Sequence, residues 1–413
     1  LAVSQQAGGS LQQGAAPVSV LISRDELIRL VVGVLVVGGV IAGAYALNGT
    51  PGYGAPASFS LLTGLTLGIL FERGRFCFFC ILRDFIEHRG TSGIFAILAA
   101  LTVGMIGYAI VFGAFLPNTT TGRLPPGAHI GPVSWILVAA GLAFGVGMAL
   151  SGACISGHLY RLGEGYTRAP LALFGALVGF GLGFYTWQSA YLGTIRTAPV
   201  AWLPGTLGYG GALAVSLAVI AIIAIYLLRF SPQSPAREAV RITPAYVFDK
   251  VFRQRWNPLV TGGLIGIVGT LAYFRVEPLG VTSQLGSISR TILDNNGLLA
   301  ERLNGLDTFA GCATQVVQTI TENGWLIGGL VIGSFAVSLV ARKISFSRVT
   351  VRGGATALLG GVAMGWGSML ALGCTVGTLL SGISAFAISG WVFAAAMFAG
   401  VWLGIRFKMH TWN

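Results

Sequence analysis

Charge is scarce in this sequence. Only 9% of its 413 residues are Asp, Glu, Lys or Arg, where soluble domains carry roughly 25% because their surfaces face water. With 54% hydrophobic residues and a mean hydropathy of +0.79, most of the surface must face another solvent, and that solvent is lipid. Acidic residues are rarer still: 13 against 25 basic ones, a formal net charge of +12. In a soluble protein such an excess would suggest nucleic acid. Here it marks loops on one side of a membrane, with a field that draws in an anion as the second reading; no nucleic-acid partner is expected. The five cysteines, Cys77, Cys80, Cys154, Cys312 and Cys374, are odd in number and mostly lie in or beside apolar segments, which argues against a disulfide framework. There is no Walker A sequence, HExxH motif or haem-ligand pair, so an ATPase or metalloprotease is not expected, nor is any cofactor or metal. No basic stretch precedes a short apolar run with a cleavage site, so no secretory signal peptide is expected.

What is abundant is glycine, 62 residues. In a soluble helix each would cost about 1 kcal/mol relative to Ala. Between membrane helices, small residues instead allow close backbone approach, and they permit helices broken inside the bilayer where the exposed backbone lines a cavity. Charge-free stretches of membrane-spanning length occur at 30–47, 51–71, 92–116, 133–155, 169–193, 205–228, 257–274 and 324–341, and 353–405 is long enough for two more. The expected fold is all-α integral membrane with about ten transmembrane helices. Short segments near 76–88, 279–291 and 307–320 are expected to dip in without crossing. Basic residues cluster in alternate connections, at Arg73–Arg89, Arg161–Arg168, 229–256 and 342–352, which places both termini in the cytoplasm of a prokaryotic plasma (inner) membrane.

The chain repeats itself. Residues 141–159, GLAFGVGMALSGACISGHL, superpose without a gap on 361–379, GVAMGWGSMLALGCTVGTL. Gly141, Gly145, Gly147, Cys154 and Gly157 fall on Gly361, Gly365, Gly367, Cys374 and Gly377. Five spans separate the two copies, so they would be inverted relative to each other, the usual construction of secondary transporters. The organisation read from this is a flexible tail 1–26, an additional helix 27–50, a first repeat 51–193, a linking helix and basic cytoplasmic linker 194–256, a second repeat 257–408 and a tail 409–413, with short re-entrant half-helices.

Both repeated cysteines sit where a Gly-rich helix gives way to a turn: Gly152 and Gly157 flank Cys154, and Gly373 and Gly377 flank Cys374. Glycine there exposes amides that can face an anion. A thiol is soft and only weakly hydrogen-bonding, better matched to a terminal sulfur or selenium than to sulfate. The bland alternative is that each cysteine is a small buried hydrophobe. Cys77 and Cys80 form a C-x-x-C with too few nearby ligands for zinc. A dithiol switch and a plain interfacial segment both remain readings of it. Arg161 and Glu164 are three residues apart and would pair on a helix, as structure or as an attractor of anions. Cys312 reads as packing, and Arg290, Asp294, Arg302 and Asp307 as an outer loop.

On Arg73-Gly74-Arg75-Phe76-Cys77 with Arg83-Asp84, on Gly145–Gly165 with Cys154 and Arg161-Leu162-Gly163-Glu164-Gly165, and on Gly361–Gly377 with Cys374, the chain resembles the YeeE/YedE family of sulfur-transport membrane proteins. The resemblance implies uptake of a small sulfur-containing anion, thiosulfate above all, through a central constriction. Cys77, Cys154 and Cys374 would bind the ion transiently by S–H···S contacts. Selenium compounds are the alternative substrate. A non-transporting scaffold subunit of a sulfur or redox membrane complex and a thiol–disulfide enzyme using Cys77 and Cys80 are the other classes. The added N-terminal span, the linker 229–256, Cys80 and Cys312 depart from the family pattern. The span and linker would suit docking of a partner such as a small cytoplasmic sulfur-carrier protein.

Overall fold

The computed structural model describes residues 24–230, 248–300, 302–306, 315–346 and 348–412. Cys312, Asp307, most of the tail 1–26 and much of the linker 229–256 lie outside the described residues. Among the described residues, fourteen helices of nine residues or more follow in order: α1 Arg24–Asn48, α2 Gly54–Gly74, α3 Phe78–His88, α4 Ser92–Phe115, α5 Trp135–Ser151, α6 Ile155–Gly163, α7 Ala169–Gly193, α8 Pro204–Leu228, α9 Pro258–Arg275, α10 Ser283–Asn295, α11 Glu322–Val340, α12 Val351–Leu370, α13 Thr375–Ser384 and α14 Ile388–Arg406. Among the described residues there is no strand, only two isolated bridges, Pro132 to Val200 and Trp202 to Ala387. Nine helical segments are long and apolar enough to cross a membrane among the described residues, and the pair α12–α13, bent by 43°, brings the number to ten. The protein is an all-α, multi-pass membrane protein.

Local sequence sets where several spans begin. Ser134, Thr321 and Thr350 each accept a bond from the amide three residues on, at 3.3, 3.2 and 3.0 Å, satisfying one of the donors a helix start leaves open. Packing then follows the small residues. α2 lies along α11 and α12 along α7, while α4 pairs with α9 and α5 with α12 and α14. At the α2–α11 seam a methyl group added to Gly64 or Gly68 would stand 2.0 or 2.1 Å from the carbonyl oxygens of Leu326 and Leu330, so only glycine allows this spacing. α1 and α8 are peripheral; each presents long apolar side chains such as Leu35 and Ile222 outward.

Four helices are too short to span alone. α3, α6, α10 and α13 are 9 to 13 residues long, and each follows a break after a longer helix. At the first break Arg75 adopts a left-handed conformation (φ 52°) and Cys77 is extended. At the second, Gly152 takes φ 85°. One expectation is corrected here. Arg290 and Asp294 belong to the helix α10, not to an outer loop, because a short helix packed against α7 and α11 needs no continuous apolar surface of its own. No helix forms in the described part of 307–320.

Candidate functional site

The break residues converge on sulfur. Cys77 is the N-cap of α3 and Cys154 the N-cap of α6. Both are fully buried, and their Sγ atoms lie 3.9 Å apart. Cys154 Sγ accepts from the Gly157 amide at 3.3 Å and contacts Ser156 Oγ at 3.3 Å, so the thiol stands over the first turn of α6 in the position an N-cap oxygen usually takes. Gly157 is needed for more than the turn: a methyl group there would stand 2.7 Å from Cys77 Sγ. Glycine on one element makes room for the cysteine of another.

Cys80 follows Cys77 by three residues, one turn into α3. It accepts from Arg161 Nη2 at 2.9 Å, and the other arm of that guanidinium donates to the Gly152 carbonyl at 3.3 Å. Arg161 also lies near the rings of Tyr160 and Tyr166, 6.0 and 5.7 Å from their centroids. The ion pair formed by Glu164 is with Arg75, at 2.6 Å, not with Arg161 three residues before it. The break after α2 brings the Arg75 guanidinium to the end of α6, while Arg161 turns inward to sulfur. Burial raises the Glu164 carboxyl above its ordinary value, and the Arg75 charge acts in the opposite sense. Glu72 and Arg73, fully buried and paired, continue this network to Lys343 at 3.2 Å.

Cys80 also lines a cavity of about 700 Å³ at the end of the molecule that carries residues 250–258. Arg75, Lys250 and Arg255 supply positive charge to its wall and Asp84 the opposing carboxylate. The sulfur cluster therefore adjoins a basic vestibule.

The second repeated cysteine stands apart from this cluster. Cys374 is the fully buried N-cap of α13. Unlike Cys154, it makes no side-chain cap hydrogen bond to its helix. Leu372 (φ 54°) turns the chain into Gly373, whose amide donates to Ser368 O at 2.8 Å. Thr282 is the N-cap residue of α10. Four half-helix N-termini are thus headed by three thiols and one hydroxyl. Sequence reasoning missed Thr282, Cys80 as the ligand of Arg161, and the buried His158; the C-x-x-C spacing was the one signal that could have drawn in Cys80.

A model of a family described as "Sulphur transport" matches residues 73–403. The chain belongs to the sulphur-transport family. Two similar proteins are named thiosulfate transporter TsuA. That of Escherichia coli is 27% identical over 83% of this chain and 92% of its own length. That of Spirochaeta thermophila is 24% identical over 83% of this chain and 96% of its own. A probable transporter, YedE of Escherichia coli, is 34% identical over 21% of this chain. The family match spans all four half-helices and all three N-cap thiols, so membership agrees with the resemblance carried by the Gly–Cys motifs.

Proposed function

We propose that this sulphur-transport family protein carries thiosulfate through the bilayer along a path marked by Cys374, Cys154 and Cys77, with Cys80 and the basic vestibule at its cytoplasmic end. The observation that carries the reading is the 3.9 Å thiol pair at two helix N-termini, buried in a multi-pass membrane protein. Two relatives covering most of the chain carry thiosulfate in their names, which supports the substrate. A dianion leaving water must find fixed dipoles. A neutral hydrogen bond contributes only about 0.5–1.5 kcal/mol net, and thiols give less. Three cysteines cannot hold the ion alone, so the helix N-termini and their amides supply most of the stabilisation while the soft thiols select for the sulfane sulfur. Weak serial sites suit conduction, since a deep well would trap the ion.

The two halves act as inverted repeats in this reading. The pairing of α2 with α11 maps onto that of α9 with α4, and that of α12 with α7 onto that of α5 with α14, as a two-fold axis between the halves would require. Both termini then face the cytoplasm of a prokaryotic inner membrane, and the vestibule rim is where a small sulfur-carrier protein would dock.

The test is uptake of sulfur-labelled thiosulfate by cells lacking their own importers. Uptake that unlabelled thiosulfate competes away, and that Cys154→Ala and Cys374→Ala each reduce at least about tenfold, is the expected result. Normal transport by both variants would remove the thiols from the path. Competition by selenium analogues but not by thiosulfate would move the substrate to selenium.

A further inference from the structure

We infer that His158 is a binding residue of the Cys77–Cys154 station, donating its imidazole N–H to an oxygen of the anion whose sulfane sulfur lies against the thiols. The inference rests on the thiosulfate reading above and adds the group that recognises the other end of the ion.

His158 is completely buried, and among the described residues neither Nδ1 nor Nε2 has a hydrogen-bond partner. Burying a polar group without a partner is costly, so a buried orphan points to a partner not permanently present. Its place is informative. His158 lies one turn after the N-cap Cys154 on α6, its amide bonded to the Cys154 carbonyl at 2.9 Å. Cys77, 3.9 Å from Cys154, lies over the same turn. A neutral imidazole offers one N–H donor and one acceptor, and no hydrogen bond among the described residues engages either.

The second half of the molecule provides the comparison. The 220-residue offset that lays Cys154 on Cys374 lays His158 on Thr378. There the hydroxyl is already engaged, donating to the Ala371 carbonyl at 3.3 Å. The Cys374 station therefore offers no free donor at this position, and the Cys154 station does. Thiosulfate has a soft sulfur at one end and three hard oxygens at the other. Thiols matched to the first and an imidazole N–H matched to the second would recognise both ends. A bare sulfide ion lacks the oxygens, and sulfate lacks the soft end.

The experiment compares His158→Leu and His158→Gln in labelled-thiosulfate uptake, with thermal melts of the purified proteins with and without thiosulfate. Leucine removes two orphan polar atoms from an apolar site, so the ligand-free melting temperature should hold or rise, the opposite of what loss of a structural residue gives. Uptake by His158→Leu should show KM raised about tenfold or more, with the thiosulfate-induced rise in melting temperature lost. His158→Gln keeps an N–H donor and should recover most of both. If His158→Leu keeps the wild-type KM while Cys154→Ala loses uptake, the role of His158 is overturned and the thiosulfate reading stands. If His158→Leu melts well below wild type, or Gln recovers nothing, the residue is structural and the inference fails. If wild type neither takes up thiosulfate nor is stabilised by it, the substrate reading fails and takes this inference with it.

Discussion

At the scale of single residues, the site depends on which atoms are left out as much as on which are present. Gly157 has no side chain, and Cys77 Sγ occupies the space one would need. Gly157→Ala therefore overpacks a fully buried contact, and such changes typically cost about 1–3 kcal/mol. The melting temperature should fall by several degrees and thiosulfate uptake with it. Cys77→Ala in the same chain removes the clashing sulfur, so the double variant should melt above Gly157→Ala alone, a non-additivity that a double-mutant cycle measures. Additive effects would mean that the two residues do not share the space. Glu277, in the connection before α10, gives a second prediction. Burial, reinforced by the Glu322 charge, raises its carboxyl from 4.5 to about 7. The folded state then holds a proton that the unfolded chain has released, so stability falls as pH rises between those two values. In detergent the melting temperature should drop as pH passes from about 5 to 8, and Glu277→Gln should flatten that part of the curve. A slope unchanged by the substitution would place its origin elsewhere.

At the scale of elements, the spans were legible and the half-helices only partly so. Lipid-facing helices must be apolar around most of their circumference, and the charge-free stretches at 92–116, 169–193 and 205–228 anticipate α4, α7 and α8 to within a residue at each end. The half-helices are surrounded by protein rather than lipid. α10 reads SQLGSISRTILDN; its start falls in the segment near 279–291 expected to dip in without crossing, while its charged Arg290 and Asp294 read as an outer loop. The Gly–Cys motifs at 152–157 and 373–377 located two of the breaks because a turn and an exposed amide demand glycine there. Arg75 and Thr282, which make the other two without a glycine pair, carried no such signal. The seams test how strictly close approach is required. Gly68→Ala would drive a methyl group to 2.1 Å from the Leu330 carbonyl and should force α2 and α11 apart, with loss of folded protein on size exclusion. Gly38→Ala on the peripheral helix α1 meets nothing within 4 Å and should be neutral. Equal tolerance of both would show that the seam yields more readily than its backbone contacts indicate.

At the scale of the whole molecule, the question is which way the charge pulls. The 700 Å³ vestibule holds Arg75, Lys250 and Arg255 against the carboxylate of Asp84, and its wall includes Cys80, which Arg161 contacts. Charges on a partly enclosed wall are screened less than those on an open surface, so their combined field reaches a divalent ion several ångströms away. If the vestibule faces the cytoplasm, as the distribution of basic loops implies, an imported ion meets this field last. In the proposed path the field would then draw the ion off the Cys77–Cys154 pair and lower the barrier to release. Replacing Lys250 and Arg255 by Gln should accordingly reduce the maximal uptake rate several-fold while leaving the KM for external thiosulfate nearly unchanged, since the outer part of the path is untouched. Arg75 is a poor choice for this purpose because it also holds Glu164 and Glu72, and its loss would perturb the fold. The opposite kinetic split is equally informative. A raised KM with an unchanged maximal rate would mean that the ion meets the vestibule first, and the orientation drawn from the basic loops would have to be reversed.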